Sequence, residues 1–371
     1  MKTKAAVIRG VGLDWEVREM ELDPPKAHEV LIRFLYAGLC HSDEHLRHGD
    51  SWHRFPIVGG HEGAGIIEEV GPDVTRVKPG DHVVCSFIPS CGHCRFCSTG
   101  QQNLCDLGKY LGDCCMPDET YRFHVDGEDY GAMGMLGTFS QWATIPEFSC
   151  VPVADDIPLE TAVLVGCGVP TGWGSSVNGA AVRPGDTVVI YGTGGIGINA
   201  VQGARHAGAR NVVAVDPAAL KREKAEELGA THSVASAADA HRLVVEDLTL
   251  GVGADSAIIT VDVVTNEDVD AAVEVIRKGG RVVITAIANP EKKTVQVSGS
   301  HLTLFQKSIH GLLFGGCNPI YDIRKMLDLY QAGEYKLDEL ITRQYRLDEI
   351  NQGYQDLLDG KTLRGVIAHE H

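Results

Sequence analysis

Five strand-forming residues, Thr187-Val188-Val189-Ile190-Tyr191, run directly into Gly192-Thr193-Gly194-Gly195-Ile196-Gly197, and a helix-forming stretch follows to about His206. Few folds accept strand, glycine turn and helix in that order. The first glycine permits a tight turn, the second lets backbone N–H groups approach a pyrophosphate, and the third lets helix and strand pack closely. The N-terminus of the helix then offers positive potential to phosphate. A plain glycine-rich turn is the competing reading, and the motif alone leaves the two even. The next strand-like run, Asn211–Val215, ends at Asp216, about 20 residues past the last glycine, where an acid binds the ribose hydroxyls of a dinucleotide. An acid there repels a 2′-phosphate, and no arginine follows it directly, so NAD is favoured over NADP. The same aspartate stands where it could cap the next helix.

Strand and helix patterns keep alternating beyond this point. A charged helix at Ala218–Leu228 is followed by strands at Ser256–Val261 and Arg281–Ala286, with a helix at Val269–Arg277 between them. Alternation of this kind predicts βαβ units and a parallel sheet, an α/β fold. The chain before it has another texture. Short β runs at Ala5–Ile8, Val30–Leu35, Gly65–Val70 and His82–Phe87 are separated by turns such as Gly71-Pro72-Asp73 and Lys78-Pro79-Gly80-Asp81, which predicts a compact β-barrel. The stretch Asp106–Gly137 is long and turn-rich, as pocket walls often are. Trp52 is expected to help shape the same pocket. The tail reads as helices at Tyr321–Tyr330 and Leu347–Leu358 and a last strand at Arg364–Ala368.

With 371 residues, 44% of them hydrophobic, the chain suits two domains. Its net charge of -17, with both signs interspersed, argues against nucleic acid or an anionic membrane as partner. No run approaches a membrane helix or a signal peptide, so a cytoplasmic protein is expected. Eleven cysteines in that compartment are better explained by metal or catalysis than by disulfides.

Four of them are clustered. Cys91, Cys94, Cys97 and Cys105 follow the pattern C-x2-C-x2-C-x7-C, which suits a closed tetrahedral zinc site; an iron–sulfur cluster is the competing reading. His93 reads as a spacer. A second set is dispersed: Cys40-His41-Ser42-Asp43, then Gly60-His61-Glu62-Gly63, then Cys167. Taken singly, Cys40 and Cys167 are as well explained as small buried hydrophobes, and His61 as a core histidine. Spacing does not assemble them. Cys85, Cys114, Cys115, Cys150 and Cys317 are given no role.

These segments, together with Gly59–Gly65 and Gly166–Gly172, resemble the zinc-containing medium-chain alcohol dehydrogenases over nearly the whole chain. The resemblance implies a GroES-like β-barrel catalytic domain at residues 1–168 and 314–371, with the structural zinc lobe at 91–105. It also implies a Rossmann doubly wound domain at residues 169–313. Two zinc ions per chain and NAD are implied as cofactors. By resemblance Cys40, His61 and Cys167 hold the catalytic zinc, Glu62 is a carboxylate able to approach it, and Asp43 orients His61. Ser42 and His45 are implied to carry the alcohol proton outward, although both also suit a helix start and a surface histidine. His41, Thr171, Gly192, Gly194, Gly195, Ile196, Gly197, Asp216, Lys221, Leu312, Phe314 and Arg364 are implied at the cofactor, and Phe87 at the substrate. Where many relatives carry an arginine on the pyrophosphate, His41 stands instead. The Ile309–Phe314 strand resembles the edge through which the family assembles, implying a homodimer or homotetramer.

A narrower resemblance rests on Met1–Gly10, His45–Asp50 and Met133–Ser140. These are similar to the actinobacterial nicotinoprotein alcohol dehydrogenases, which are assayed with a nitroso-aniline dye and linked to mycofactocin. It implies a retained NAD and a mycofactocin-type electron acceptor beside a small alcohol or aldehyde. Two other readings stay open at this stage. One is a formaldehyde dehydrogenase acting on a thiol adduct, for which Lys109 replaces an arginine and loses its bidentate fork. The other is a non-catalytic binding protein on the same fold.

Overall fold

The computed structural model describes residues 1–51, 53–287 and 295–371; Trp52 lies outside the described residues. The chain divides into two compact units, Met1–Cys167 with Asn318–His371, and Gly168–Cys317.

In the first unit the strands Lys2–Ile8, Glu16–Leu22, Phe123–Val125, Glu128–Ala132 and Ile57–Val58 close a small barrel. A second sheet runs in the order Cys150–Pro152, His82–Cys85, Gly63–Val70, Glu29–Leu39, Arg364–Ala368, Ile341–Tyr345, with Trp142–Pro146 also paired to Glu29–Leu39. The last strand of the chain therefore hydrogen-bonds to an early one, Gly365 facing Leu39. Ala5, Val7, Ile32, Phe34, Val83 and Phe123 are among the buried residues of the core between them. A barrel is present as expected, but of the early β runs only Ala5–Ile8 enters its closed ring; Val30–Leu35, Gly65–Val70 and His82–Phe87 fall in or at the second sheet. The stretch Asp106–Gly137 is more ordered than its composition suggests. It contains the hairpin Phe123–Val125/Glu128–Ala132, turned by Asp126-Gly127, both with positive φ, the dipeptide that tight hairpins favour.

The second unit carries a six-stranded parallel sheet. Its order is His232–Val234, Asn211–Val215, Thr187–Tyr191, Ala254–Ile259, Ile276–Ile284, Ser308–Gly311. In sequence terms that is 3-2-1-4-5-6, the doubly wound arrangement in which ligands bind where the order reverses, beyond the first strand. Thr187–Tyr191 is buried at every position, as a strand covered on both faces must be. Two boundaries differ from the sequence reading. The helix Asn266–Val275 starts early because Thr265 and Asp268 form a capping box, which satisfies two orphan N–H groups. It also stops early, since Ile276–Ile284 is already strand. Among the described residues no helix is long and apolar enough to cross a membrane.

The end of the chain is tied down by histidine. His369 is 9% exposed, with Nε2 at 3.0 Å from the Thr138 carbonyl. Burial pushes its imidazole down from 6.5 to about 4. The unfolded chain therefore binds a proton that the folded one refuses, so stability present above pH 6.5 is lost as pH falls toward 4. His369→Gln keeps a donor for Thr138 and removes that proton. Its unfolding midpoint should change less than the parent's between pH 7 and pH 5, a difference of about 2 kcal/mol. Thermal melts at the two pH values check this, and equal slopes would sink it.

Candidate functional site

Cys40 closes the strand Glu29–Leu39 and opens the helix His41–His48. It sits at the N-cap in an extended conformation and makes no capping bond, so its sulfur is left for other work. The helix then sets Asp43 and His45 toward the interior, where both are buried. His61 and Glu62 stand between the short strand Ile57–Val58 and the strand Gly63–Val70, and Cys167 ends a short 3-10 turn over Val163–Gly166. Ligand atoms of Cys40, His61, Glu62 and Cys167 all lie within 4.8 Å of one another, and all four residues are buried. The dispersed residues thus converge on one point.

Their surroundings fit a metal ion. Asp43 Oδ1 accepts from the Gly60 N–H at 3.0 Å and stands 3.3 Å from His61 Nδ1. Holding Nδ1–H in this way leaves Nε2 as the electron-pair donor, and His61 Nε2 is buried with no hydrogen-bond partner. The Cys167 sulfur beside it holds the Cys40 thiol well below its ordinary range against the effect of burial, with His61 and Arg364 assisting; the same contact pushes Cys167 up. Burial pulls the His61 imidazole down, but Asp43 and Cys40 outweigh it and raise it overall. Two cysteine sulfurs, an imidazole and a carboxylate in a dry site are a zinc donor set.

Glu62 does not stand alone. Its carboxylate pairs with the Arg364 guanidinium, which also donates to the Leu39 carbonyl at 3.4 Å. Arg364, which the resemblance places at the cofactor, is 3% exposed. Gly38 makes room for this carboxylate, since a Cβ there would fall 2.1 Å from Glu62 Oε2. Phe87 sets its ring edge-on to His61, centroids 5.6 Å apart. Gly134, with φ +64, backs both: its Cβ would lie 3.0 Å from Phe87 Cβ and 3.3 Å from His61 Cβ.

Ser42 Oγ is 3.6 Å from the Cys40 sulfur, and His41, the first residue of the helix, is half-buried. His45 is buried rather than on the surface, with Nδ1 3.5 Å from Asp50 Oδ2 and the Asp50 N–H on its own carbonyl at 2.9 Å. Asp50, which the sequence reading passed over, keeps a quarter of its side chain in water.

The four clustered cysteines also lie within 4.8 Å of one another. Backbone N–H groups of Cys91, Cys94 and Cys97 point at the sulfurs of Cys105, Cys91 and Cys94, at 3.4, 3.3 and 3.4 Å. Burial opposes ionisation of Cys94, but N–H donation from Asp106 and Cys97 brings it down to about 6. A loop wrapped this way round its sulfurs is built to hold a cation. All eleven cysteines are free of disulfides.

In the second unit Gly192 has φ +83, a value glycine tolerates, and a Cβ would touch the Thr260 carbonyl at 3.0 Å. A Cβ on Gly197 would fall 1.8 Å from the Gly192 carbonyl, whereas one on Gly194 would meet open space. The helix begins at Gly197, with Ile196 as its N-cap and the Gly195 carbonyl accepting from Asn199 at 2.8 Å. This cradle suits a pyrophosphate. Asp216 is buried and holds the turn: Oδ2 accepts from the Thr193 N–H and Oδ1 from the Ala218 N–H, both at 2.9 Å. The cap of the next helix, Ala219–Glu227, is Ala218, not Asp216. Lys221 is half-buried on that helix, and Arg222 donates to the Asp216 and Pro217 carbonyls at 2.8 and 2.9 Å. This arginine was missed because it lies six residues beyond the aspartate. Thr171 is buried, its carbonyl accepting from Ser175 Oγ at 2.6 Å. Leu312 donates to the Ile284 carbonyl, past the end of the strand Ser308–Gly311, and Phe314 is buried with φ +55.

Residues 26–155 match the alcohol dehydrogenase GroES-like domain, and residues 195–332 match the zinc-binding dehydrogenase family. The chain is 63% identical over 369 residues to an NDMA-dependent alcohol dehydrogenase of Amycolatopsis methanolica, covering 100% of this chain and 99% of that one. It is 37% identical to the S-(hydroxymethyl)glutathione dehydrogenase of Saccharomyces cerevisiae, covering 100% of this chain and 97% of that one. Benzyl alcohol dehydrogenase from Acinetobacter calcoaceticus superposes with a TM-score of 0.91 at 29% identity, with both chains fully covered. Lys109, the position weighed for a thiol adduct, is exposed with its ammonium 4.6 Å from the centre of the Tyr110 ring.

Proposed function

As the chain belongs to the zinc-dependent alcohol dehydrogenases of the medium-chain dehydrogenase/reductase family, we propose that it interconverts a small alcohol and its aldehyde or ketone at Cys40, His61 and Cys167, with NAD kept bound between turnovers. The observation that carries this reading is the convergence of those three residues and Glu62 within 4.8 Å, with the bare His61 Nε2 among them.

A zinc ion held there supplies Lewis acidity toward an alcohol oxygen, and a nicotinamide supplies the hydride acceptor. The chain's own residues do the rest. Asp43 fixes the His61 tautomer, and Arg364 neutralises Glu62, which otherwise adds a third negative charge to two thiolates. Phe87 and Gly134 form an apolar wall beside His61 that keeps water from the reacting carbon. Ser42 Oγ takes the alcohol proton, and His45 receives it further along. Because His45 is buried, Asp50 gives that proton its way to solvent. Gly192–Gly197 and Asp216 seat the dinucleotide, and the Asp216 carboxylate favours NAD by repelling a 2′-phosphate. Thr171, Lys221, Leu312 and Phe314 complete the cofactor's surroundings within the second unit.

Retention of the nucleotide rests on the 63% identity to the NDMA-dependent enzyme. It requires a separate acceptor, of the mycofactocin type, to reoxidise the cofactor in place. The reading extends to a homo-oligomer in the cytoplasm. Mass spectrometry of the native protein tests it: two zinc ions and one nucleotide per chain are expected after desalting. A nitroso-aniline dye should support turnover where added NAD does not. Nucleotide lost on desalting, with added NAD reduced in step with alcohol oxidised, would overturn retention and leave an ordinary exchanging dehydrogenase.

A further inference from the structure

We propose that Ser175 and Thr285 are positioning residues that form a hydroxyl tie at the second half of the nucleotide crevice, and that this tie slows the nucleotide's departure. It deepens the reading of a retained NAD and rests on it.

The glycine turn and Asp216 serve the first half of the parallel sheet. The second half has its own rim, where Ala254–Ile259, Ile276–Ile284 and Ser308–Gly311 end. A dinucleotide laid across the reversal of strand order must reach that rim. Two strands there hand one more residue to the ladder. Thr285 donates its N–H to the Ile259 carbonyl at 3.1 Å, and Leu312 donates to the Ile284 carbonyl at 3.0 Å. The Thr285 hydroxyl lies 2.9 Å from Ser175 Oγ, and Ser175 Oγ lies 2.6 Å from the Thr171 carbonyl. A serine has one hydroxyl hydrogen, and a carbonyl can only accept. The order is therefore fixed: Thr285 donates to Ser175, and Ser175 donates to Thr171. A serine bonded to the carbonyl four residues back is common in helices. A reach to a hydroxyl 110 residues away is not. Ser175 is fully buried, so water does not replace a lost partner.

The tie grips the helix Gly168–Gly174, which touches both halves of the crevice. At Gly172 its backbone rests on the glycine turn, since a Cβ would fall 2.0 Å from the Ile196 carbonyl. At Gly174 it meets the turn after the last strand, where a Cβ would fall 2.2 Å from the Gly315 carbonyl. Gly315 presses back, for its own Cβ would lie 2.3 and 2.8 Å from the Pro170 and Thr171 carbonyls. Bare backbones in contact pack closely but carry no direction. Direction comes from Ser175 and from the Cys317 thiol, which donates to the Pro170 carbonyl at 3.4 Å. The turn beside them is strained: Phe314, Gly315 and Gly316 all have positive φ, and Phe314 is no glycine. Such strain persists only where the surroundings over-determine it, and it gathers at ligand clamps. A seat held this rigidly loses little freedom when filled, and affinity gained in that way shows mainly as slow release.

Thr285→Val removes the hydroxyl and keeps the shape, while Thr285→Ser keeps the hydroxyl and removes the methyl. The native protein carrying its own nucleotide is mixed with excess deuterium-labelled NAD, and native mass spectrometry follows entry of the label. Thr285→Val and Ser175→Ala should each exchange about 10-fold faster than the parent, the scale of one buried hydrogen bond. Thr285→Ser should match the parent. Combining Ser175→Ala with Thr285→Val should be no faster than the faster single variant. The zinc count in the same spectra should not change. Equal exchange in the parent and Thr285→Val, or Thr285→Ser as fast as Thr285→Val, would overturn the tie. Single effects that multiply in the double variant would do the same. A parent that swaps its nucleotide within the mixing time would overturn retention instead. Titration with NAD then decides the tie, since Thr285→Val should bind about 10-fold more weakly than the parent and Thr285→Ser, and equal affinities would sink it.

Discussion

Glutamine in place of His61 should leave one zinc ion per chain instead of two and slow alcohol turnover on the order of 1,000-fold or more. The size follows from what the site asks of that imidazole. Its Nε2 is buried among two sulfurs and a carboxylate with no protein partner, and Nδ1 is committed to Asp43. A glutamine amide cannot donate a hydrogen to Asp43 while offering a nitrogen lone pair to a cation. Without the ion, Lewis-acid assistance worth several kcal/mol is gone, and each 1.36 kcal/mol is tenfold in rate. Metal analysis and steady-state rates on the same preparation check both halves. If the variant kept two zinc ions, or lost the ion without losing turnover, the assignment of the centre would fail. Secondary structure should barely change, because His61 lies outside the hydrophobic clusters of the barrel.

How much of this was legible beforehand depended on whether the signal was local. The nucleotide cradle is local: Gly192 and Gly197 are glycines because a Cβ on either would strike a carbonyl, and their spacing displays that requirement. The four-cysteine lobe is local for the same reason. The Cys40–His61–Cys167 centre is not, because it joins a strand end, a loop and a 3-10 turn separated by up to 127 residues of chain. Only resemblance brought them together. Glu62 and Arg364 lie 302 residues apart, and no periodicity predicts that Arg364 turns onto a carboxylate at the metal. Asp50 was invisible for another reason. It stands against a residue already singled out, 3.5 Å from His45 Nδ1, and an aspartate just past a helix end reads as a solvated turn residue until that approach is seen. The hairpin turn Asp126-Gly127 did carry a local signal, which was swamped by the turn-rich composition around it.

The lobe should give the other large effect. Replacing Cys105 by alanine is expected to remove one zinc ion and unfold residues 91–110 locally, leaving the barrel and the Cys40–His61–Cys167 centre intact. Little besides the four sulfurs holds this segment together. Between Cys91 and Tyr110 the buried residues are Cys97, Asn103 and Cys105, and none of them is a large apolar side chain. Its longest regular elements are the four-residue helix Arg95–Ser98 and the five-residue 3-10 turn Asp106–Tyr110. Such a lobe buries too little surface to offset the entropy of ordering it. A structural zinc ion contributes about 10 kcal/mol or more to small domains of this kind, so its loss should tip the lobe to the open state. The outer ties are single hydrogen bonds, the Gln102 N–H on Asn318 Oδ1 at 2.9 Å and the Arg76 guanidinium on the Ser90 carbonyl at 2.6 Å. Limited proteolysis should therefore cut within 91–110 at least about 100-fold faster in the variant, since an opening eased by about 3 kcal/mol or more has that effect. Fragment masses locate the cut. A lobe that resisted protease with only one zinc ion per chain would mean that packing, not metal, holds it, and the four sulfurs would need another purpose.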